Sequence, residues 1–156
     1  MARFFRGALP GFLLLLAVFA VAMPREATAV TVERVESPGG IVAWLVRDSM
    51  VPLVSIEFSF RGGSALDPAG KAGLASMTSS LMDEGAGDMD SQAFQRKLSD
   101  LAVTMSFAAG MDTIRGSLKT LNRTRDEAVG LLALALTNPR FDEDAIVVGV
   151  PSVGWP

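Results

Sequence analysis

No cysteine and no histidine occur among the 156 residues. The first absence removes disulfides, so a chain that leaves the cell must hold together by packing alone. The second removes both the commonest general base and the commonest zinc ligand. A surplus of positive charge is missing too, since 14 Lys and Arg stand against 17 Asp and Glu for a net charge of −3. Such an acidic chain argues against nucleic acid as a partner. There is no internal repeat or low-complexity tract, and no EF-hand loop, P-loop or Gly-x-Ser-x-Gly elbow.

What is present begins with an export signal over residues 1–29. Arg3 and Arg6 form a basic start, Leu13 to Ala22 is an apolar run, and Ala27-Thr28-Ala29 is an A-x-A cleavage site. Pro24, Arg25 and Glu26 interrupt the apolar run short of the roughly 20 residues that a membrane span needs. Cleavage is expected after Ala29, with a periplasmic or secreted product and no membrane association afterwards. Arg3 and Arg6 are not adjacent, which excludes a twin-arginine signal, and without cysteine there is no lipoprotein anchor. Cleavage removes three arginines and one glutamate, leaving 11 basic and 16 acidic residues and a net charge of −5.

Residues 30–146 then read as strands and helices of one domain. Val30 to Glu36 and Ile41 to Val46 are two short strands around the turn Ser37-Pro38-Gly39-Gly40. Leu53 to Arg61 is the clearest strand, with Val54, Ile56, Phe58 and Phe60 on one face and Ser55, Glu57, Ser59 and Arg61 on the other. Its clean alternation predicts a strand paired on both sides. Gly73 to Gly87 predicts one short helix with a glycine stop, Leu74, Met77, Leu81 and Met82 apolar, and Ser76, Ser79 and Ser80 on the polar face. A second helix, capped by Asp90 or Ser91, carries Phe94, Leu98 and Leu101 as its apolar stripe. Val103 to Phe107 and Thr113 to Leu121 predict a hairpin, its second arm weakened by Gly116. Thr124-Arg125-Asp126-Glu127 matches a capping box for a helix from Arg125 to Thr137, with Ala128, Leu131, Leu132, Ala135 and Leu136 buried and Asn138-Pro139 as its stop. Another helix starts at Phe141 to Ile146, with Asp142, Glu143 and Asp144 near its positive end. Residues 147–156, VVGVPSVGWP, hold two glycines, two prolines and no charge, so a truncation or frameshift is expected after Ile146. The resulting order, β-β-β-α-α-β-β-α, is an α+β class: a largely antiparallel sheet with helices packed on one face.

GLASMTSSLMDEGAG, preceded by FRGGSALDPAGKAG and followed by LTNPRFDEDAI, resembles the amino-terminal domain of the M16 peptidases, the insulinase, pitrilysin and mitochondrial processing peptidase family. The resemblance runs from about Val32 to Ile146 and implies part of the M16 α/β roll. Active members carry His-x-x-Glu-His on the helix after a Gly-Ser-x-x-Asp loop. On this chain those three positions fall at Ser76, Ser79 and Ser80. In the family two imidazoles hold zinc, the glutamate activates the bound water, and a further acidic ligand comes from a later helix. Serine hydroxyls are poor zinc ligands and poor bases, so the resemblance implies the fold without its catalytic, cofactor-binding or metal residues. It further implies a non-catalytic subunit, marked also by Gly85-Ala86-Gly87, that pairs with a catalytic M16 homologue to bind extended peptide for degradation or processing. Zinc is expected only in that partner.

Competing readings start from single features. Two other functions stay open: a zinc endopeptidase with ligands outside this chain, and a stand-alone periplasmic peptide-binding scaffold. The three serines with Lys71 as base would make a hydrolase, but no histidine or nucleophile elbow supports it. Asp83, Glu84, Asp88 and Asp90 would make a calcium site, but their spacing is not that of an EF-hand. Gly62-Gly63 lacks the lysine of a phosphate loop, so turn geometry is the better explanation. An extended peptide could add to the sheet, with Leu53 to Arg61 as the candidate strand.

Overall fold

A computed structural model describes residues 30–149. The chain divides after Asp48 into two compact units. In the first, β1 (Val32–Glu36) and β2 (Val42–Val46) pair antiparallel, with Val32 opposite Val46 and Glu36 opposite Val42. The turn between them is closed from within: the Ile41 amide donates to Ser37 Oγ at 3.0 Å, and Gly40 takes φ 83°. Exposed ion pairs of Arg47 with Glu33 and of Arg34 with Glu36 add little in water.

The second unit is built on an antiparallel sheet of β3 (Leu53–Arg61), β4 (Thr104–Ala109) and β5 (Thr113–Leu121) in the order β3-β5-β4. Among the described residues β3 is therefore an edge, which corrects the expectation that it is paired on both sides. Alternation reports that one face is covered; it carries no information about the number of neighbours. Even the covered face is uneven, since Val54, Ile56 and Phe58 are half-buried and Phe60 is 41% exposed.

Gly116 sits at the middle of this sheet, opposite Phe58 of β3 and opposite Phe107 of β4. The two rings meet edge to face, with centroids 6.2 Å apart and planes at 70°. A Cβ on Gly116 would overlap the Phe58 ring. The glycine that looks like a flaw in the strand pattern is thus the space that Phe58 fills, a bare position covered by a cross-strand aromatic.

Among the described residues four α-helices join the sheet: α1 (Leu74–Leu81), α2 (Ser91–Asp100), α3 (Arg125–Thr137) and α4 (Glu143–Gly149). The core joins Phe94 and Leu98 of α2 to Met105, Phe107 and Leu118 of the sheet and to Ala128, Leu131, Leu132 and Ala135 of α3. Asp90 caps α2 as expected, its Oδ1 accepting the Ala93 amide at 2.8 Å. At the other end of α2, Val103 N–H donates to Leu98 O at 2.8 Å and Ala102 N–H to Ser99 O at 3.0 Å. This is a Schellman closure, with Ala102 in the left-handed conformation (φ 52°) that glycine usually supplies.

Two expectations are corrected here. The capping box does not form: no side chain caps α3, and a 3-10 turn, Asn122–Thr124, leads into it. Thr124 Oγ1 instead lies 3.0 Å from Thr120 Oγ1 and 3.1 Å from Leu101 O, tying β5 to the end of α2, while Glu127 reaches Lys97 at 3.2 Å. Leu136 is 39% exposed, because the buried stripe of α3 runs through Ala128, Leu131, Leu132 and Ala135 and leaves it at the margin. Helix α4 continues past Ile146 to Gly149, so the start of the glycine-bearing tail is still helical; residues 150–156 and the signal residues 1–29 lie outside the described residues. No helix among the described residues is long and apolar enough to cross a membrane.

Two substitutions test this packing. Gly116→Ala should destabilise the fold by about 1–3 kcal/mol, the usual cost of overpacking. In a Phe58→Ala background the same change should cost far less, which urea denaturation of the double-mutant cycle would measure. Ala102→Gly should stabilise by about 1 kcal/mol, because a left-handed residue loses its Cβ clash; an unchanged denaturation midpoint would contradict the Schellman assignment.

Candidate functional site

The three serines lie on α1, a helix set in place from outside itself. Gly73, with φ 93°, has no side chain to cap the helix. Asp67 does so from the preceding loop, its Oδ2 accepting the Gly73 amide at 2.7 Å and its Oδ1 the Ala75 amide at 2.9 Å. A carboxylate there satisfies orphan amides and meets the positive end of the helix. The loop before it is equally fixed. Gly62, Ser64 and Ala65 donate their amides to Asp112, Gly110 and Met111 carbonyls at 3.1, 3.0 and 2.9 Å. Gly63 (φ 122°) has its missing Cβ directed at Gly110 O and Met111 O. Close backbone approach to the β4–β5 turn explains Gly63. A shallow depression of about 370 Å³ opens beside it, lined by Arg61, Gly62, Ala65, Leu66, Asp112 and Thr113.

Helix α1 differs from its sequence reading in length and in facing. It ends at Leu81 instead of running to the glycines, through tight turns from Met82 N–H to Ser79 O and Glu84 N–H to Leu81 O. Its buried side is Ala75, Thr78, Ser79 and Met82, spaced i, i+3, i+4, i+7, together with Leu81, while Leu74 and Met77 face out. Ser79 is only 2% exposed. Small residues on this stripe let α1 pack against β4, and that A-x-x-T-S-x-x-M spacing was the signal hidden by the larger Leu74 and Met77. Ser76 and Ser80 remain exposed, one turn apart.

Two of the three serine hydroxyls are spent on their own helix. Ser79 Oγ donates to Ser76 O and Ser80 Oγ to Met77 O, each at 2.9 Å. No hydrogen bond joins Lys71 to any of them among the described residues, so nothing there activates a nucleophile. The carboxylates of the acidic loop are likewise engaged separately. Asp90 caps α2, and Glu84 Oε2 accepts Ser91 Oγ at 2.7 Å. Asp83 is pushed above the usual carboxylate range by burial, against the opposing pull of a backbone hydrogen bond. Among the described residues no group of three or more acidic side chains is placed to hold a metal ion. Gly85-Ala86-Gly87 stitches this loop to the exit of α3, since Gly87 N–H donates to Asn138 O and Arg140 N–H to Gly85 O, both at 2.9 Å.

No family model matches the chain. It is 26% identical over 133 residues to the Non-peptidase homolog YmxG of Helicobacter pylori, a match covering 85% of this chain and 30% of that protein. Among solved structures it resembles an inactive peptidase M16 domain from Pseudomonas fluorescens, with TM-score 0.68 and 23% identity over 76% of this chain and 29% of that one. It also resembles a protease from Helicobacter pylori, with TM-score 0.63 and 18% identity over 78% of this chain and 29% of that one. The chain thus spans less than a third of the length of these relatives.

Burial of Asp83 has a pH signature. Its raised folded-state pKa means that ionisation opposes folding, so its contribution is favourable below the unfolded value near about 4 and is lost as pH rises through the folded value. Asp83→Asn should therefore raise the melting temperature at pH 7 and converge with the parent protein at more acid pH; an equal offset at both would contradict it. The chain thus shares the α+β fold of M16 peptidase domains, and a non-peptidase homolog is among its relatives.

Proposed function

We propose that the chain is a non-catalytic M16-like subunit of the periplasm that pairs with a catalytic, zinc-bearing M16 homologue and helps it hold extended peptide. The observation that carries this reading is the position of β4. Among the described residues it is an edge strand, and it packs against α1, the helix whose outer flank presents Ser76 and Ser80. A peptide added to β4 would be held by main-chain hydrogen bonds, next to the positions where the resemblance places the zinc motif. This chain offers serines there, so cutting belongs to the partner. Strand β3, the candidate for peptide addition in the sequence, lies on the far side of β5 from α1's neighbour β4.

Support for the export step comes from residues 1–29, and support for a non-catalytic role comes from the relatives. The test is co-purification of the tagged full-length protein from periplasmic extract with tagged candidate M16 peptidases. A stoichiometric complex is expected, with zinc present at one equivalent per partner and none assignable to this chain. A clean monomer, or zinc bound to this chain alone, would overturn the reading.

A further inference from the structure

We propose that the peptide held at the β4 edge carries acidic side chains at two positions four residues apart, with apolar residues on its other face. This rests on the strand-addition reading above and names the substrate class. On the outer face of the sheet, Arg115 of β5 stands opposite Ala108 of β4, and Lys119 stands opposite Thr104. Between them Ser117 and Ser106 join their hydroxyls at 2.8 Å. Arg115 and Lys119 are exposed, and no ion pair engages either among the described residues. The β4 residues in front of them are small, so nothing bulky separates the two cations from the edge.

Distances fit a carboxylate on an added strand. Neighbouring strands lie about 4.8 Å apart, so a strand beyond β4 sits about 10 Å from β5, a gap that an arginine or lysine reaching toward a glutamate can span. Side chains on one face recur every second residue, so cations four apart on β5 match carboxylates four apart on the peptide. The acidic residue of this face, Glu57, belongs to β3 and pairs with Ser117 from the opposite side of β5. Glu57 is thus diagonal to both cations, while on the β4 side of β5 this face holds Thr104, Ser106 and Ala108 and no carboxylate. On the inner face the edge presents Met105 and Phe107, which favours apolar peptide residues between the acidic ones.

The test uses the purified protein and three labelled ten-residue peptides of alternating apolar and polar residues. Their polar positions four apart are a glutamate pair, a serine pair or a lysine pair. Fluorescence anisotropy at low salt should rank glutamate above serine above lysine, with about tenfold between the first two, as expected of two cross-strand charge pairs. The gap should narrow at high salt. Arg115→Ser with Lys119→Ser should bring the glutamate peptide down to the serine peptide's affinity and leave the latter unchanged, while Arg61→Ser on β3 should alter neither. Equal binding of all three peptides would overturn the charge preference and leave strand addition standing. Loss on Arg61→Ser in place of the β5 pair would move the peptide to β3 and overturn this assignment, and no binding of any peptide would overturn strand addition itself.

Discussion

The contact of Phe58 with Phe107 across Gly116 is the constraint on which the second unit depends. Three strands bring one residue each to a single row, and two of the three are aromatic. Only an absent side chain in the middle lets the rings meet. Phe107 then lies within the same cluster as Phe94, Leu98, Leu131 and Leu132, so helices α2 and α3 rest on a surface whose height is set by that row. In a chain without disulfides such packing has to supply the uniqueness that a covalent link would otherwise give.

From this base the outer parts are placed by short-range bonds. Asp67 anchors α1, the 62–65 segment anchors Asp67's loop to the β4–β5 turn, and the 85–87 segment joins the acidic loop to the end of α3. Small side chains bring α1 beside β4, and that approach gives the β4 edge its setting. On the helix so placed, the Ser79 and Ser80 hydroxyls bond only to their own backbone.

Much of the fold was legible because the strongest signals were local. The limits of α3, the cap at Asp90 and the alternation of β3 and β5 depend on neighbouring residues and appear as read. What failed depended on tertiary partners. Thr124 had an amide donor within its own turn in principle, but its hydroxyl is turned instead toward Leu101 O and Thr120 Oγ1, which lie close in space. Ser79 is polar by type yet buried because α1 turns its small residues toward β4. Ala102 gave no warning of a left-handed cap, and an edge strand cannot be told from an inner one by period alone. At the candidate site, the resemblance alone singles out the three serines, whereas telling the two sheet edges apart required the topology.

Gly63 links two stretches nearly fifty residues apart in sequence, with its backbone pressed against Gly110 and Met111. Neither loop can then shift without the other. A side chain gained at 63 must be matched by a retreat of the 110–112 turn, which would pull on Thr113 and so on the register of the central strand. The two loops act as one mechanical unit, and lengthening either calls for a compensating change in the other.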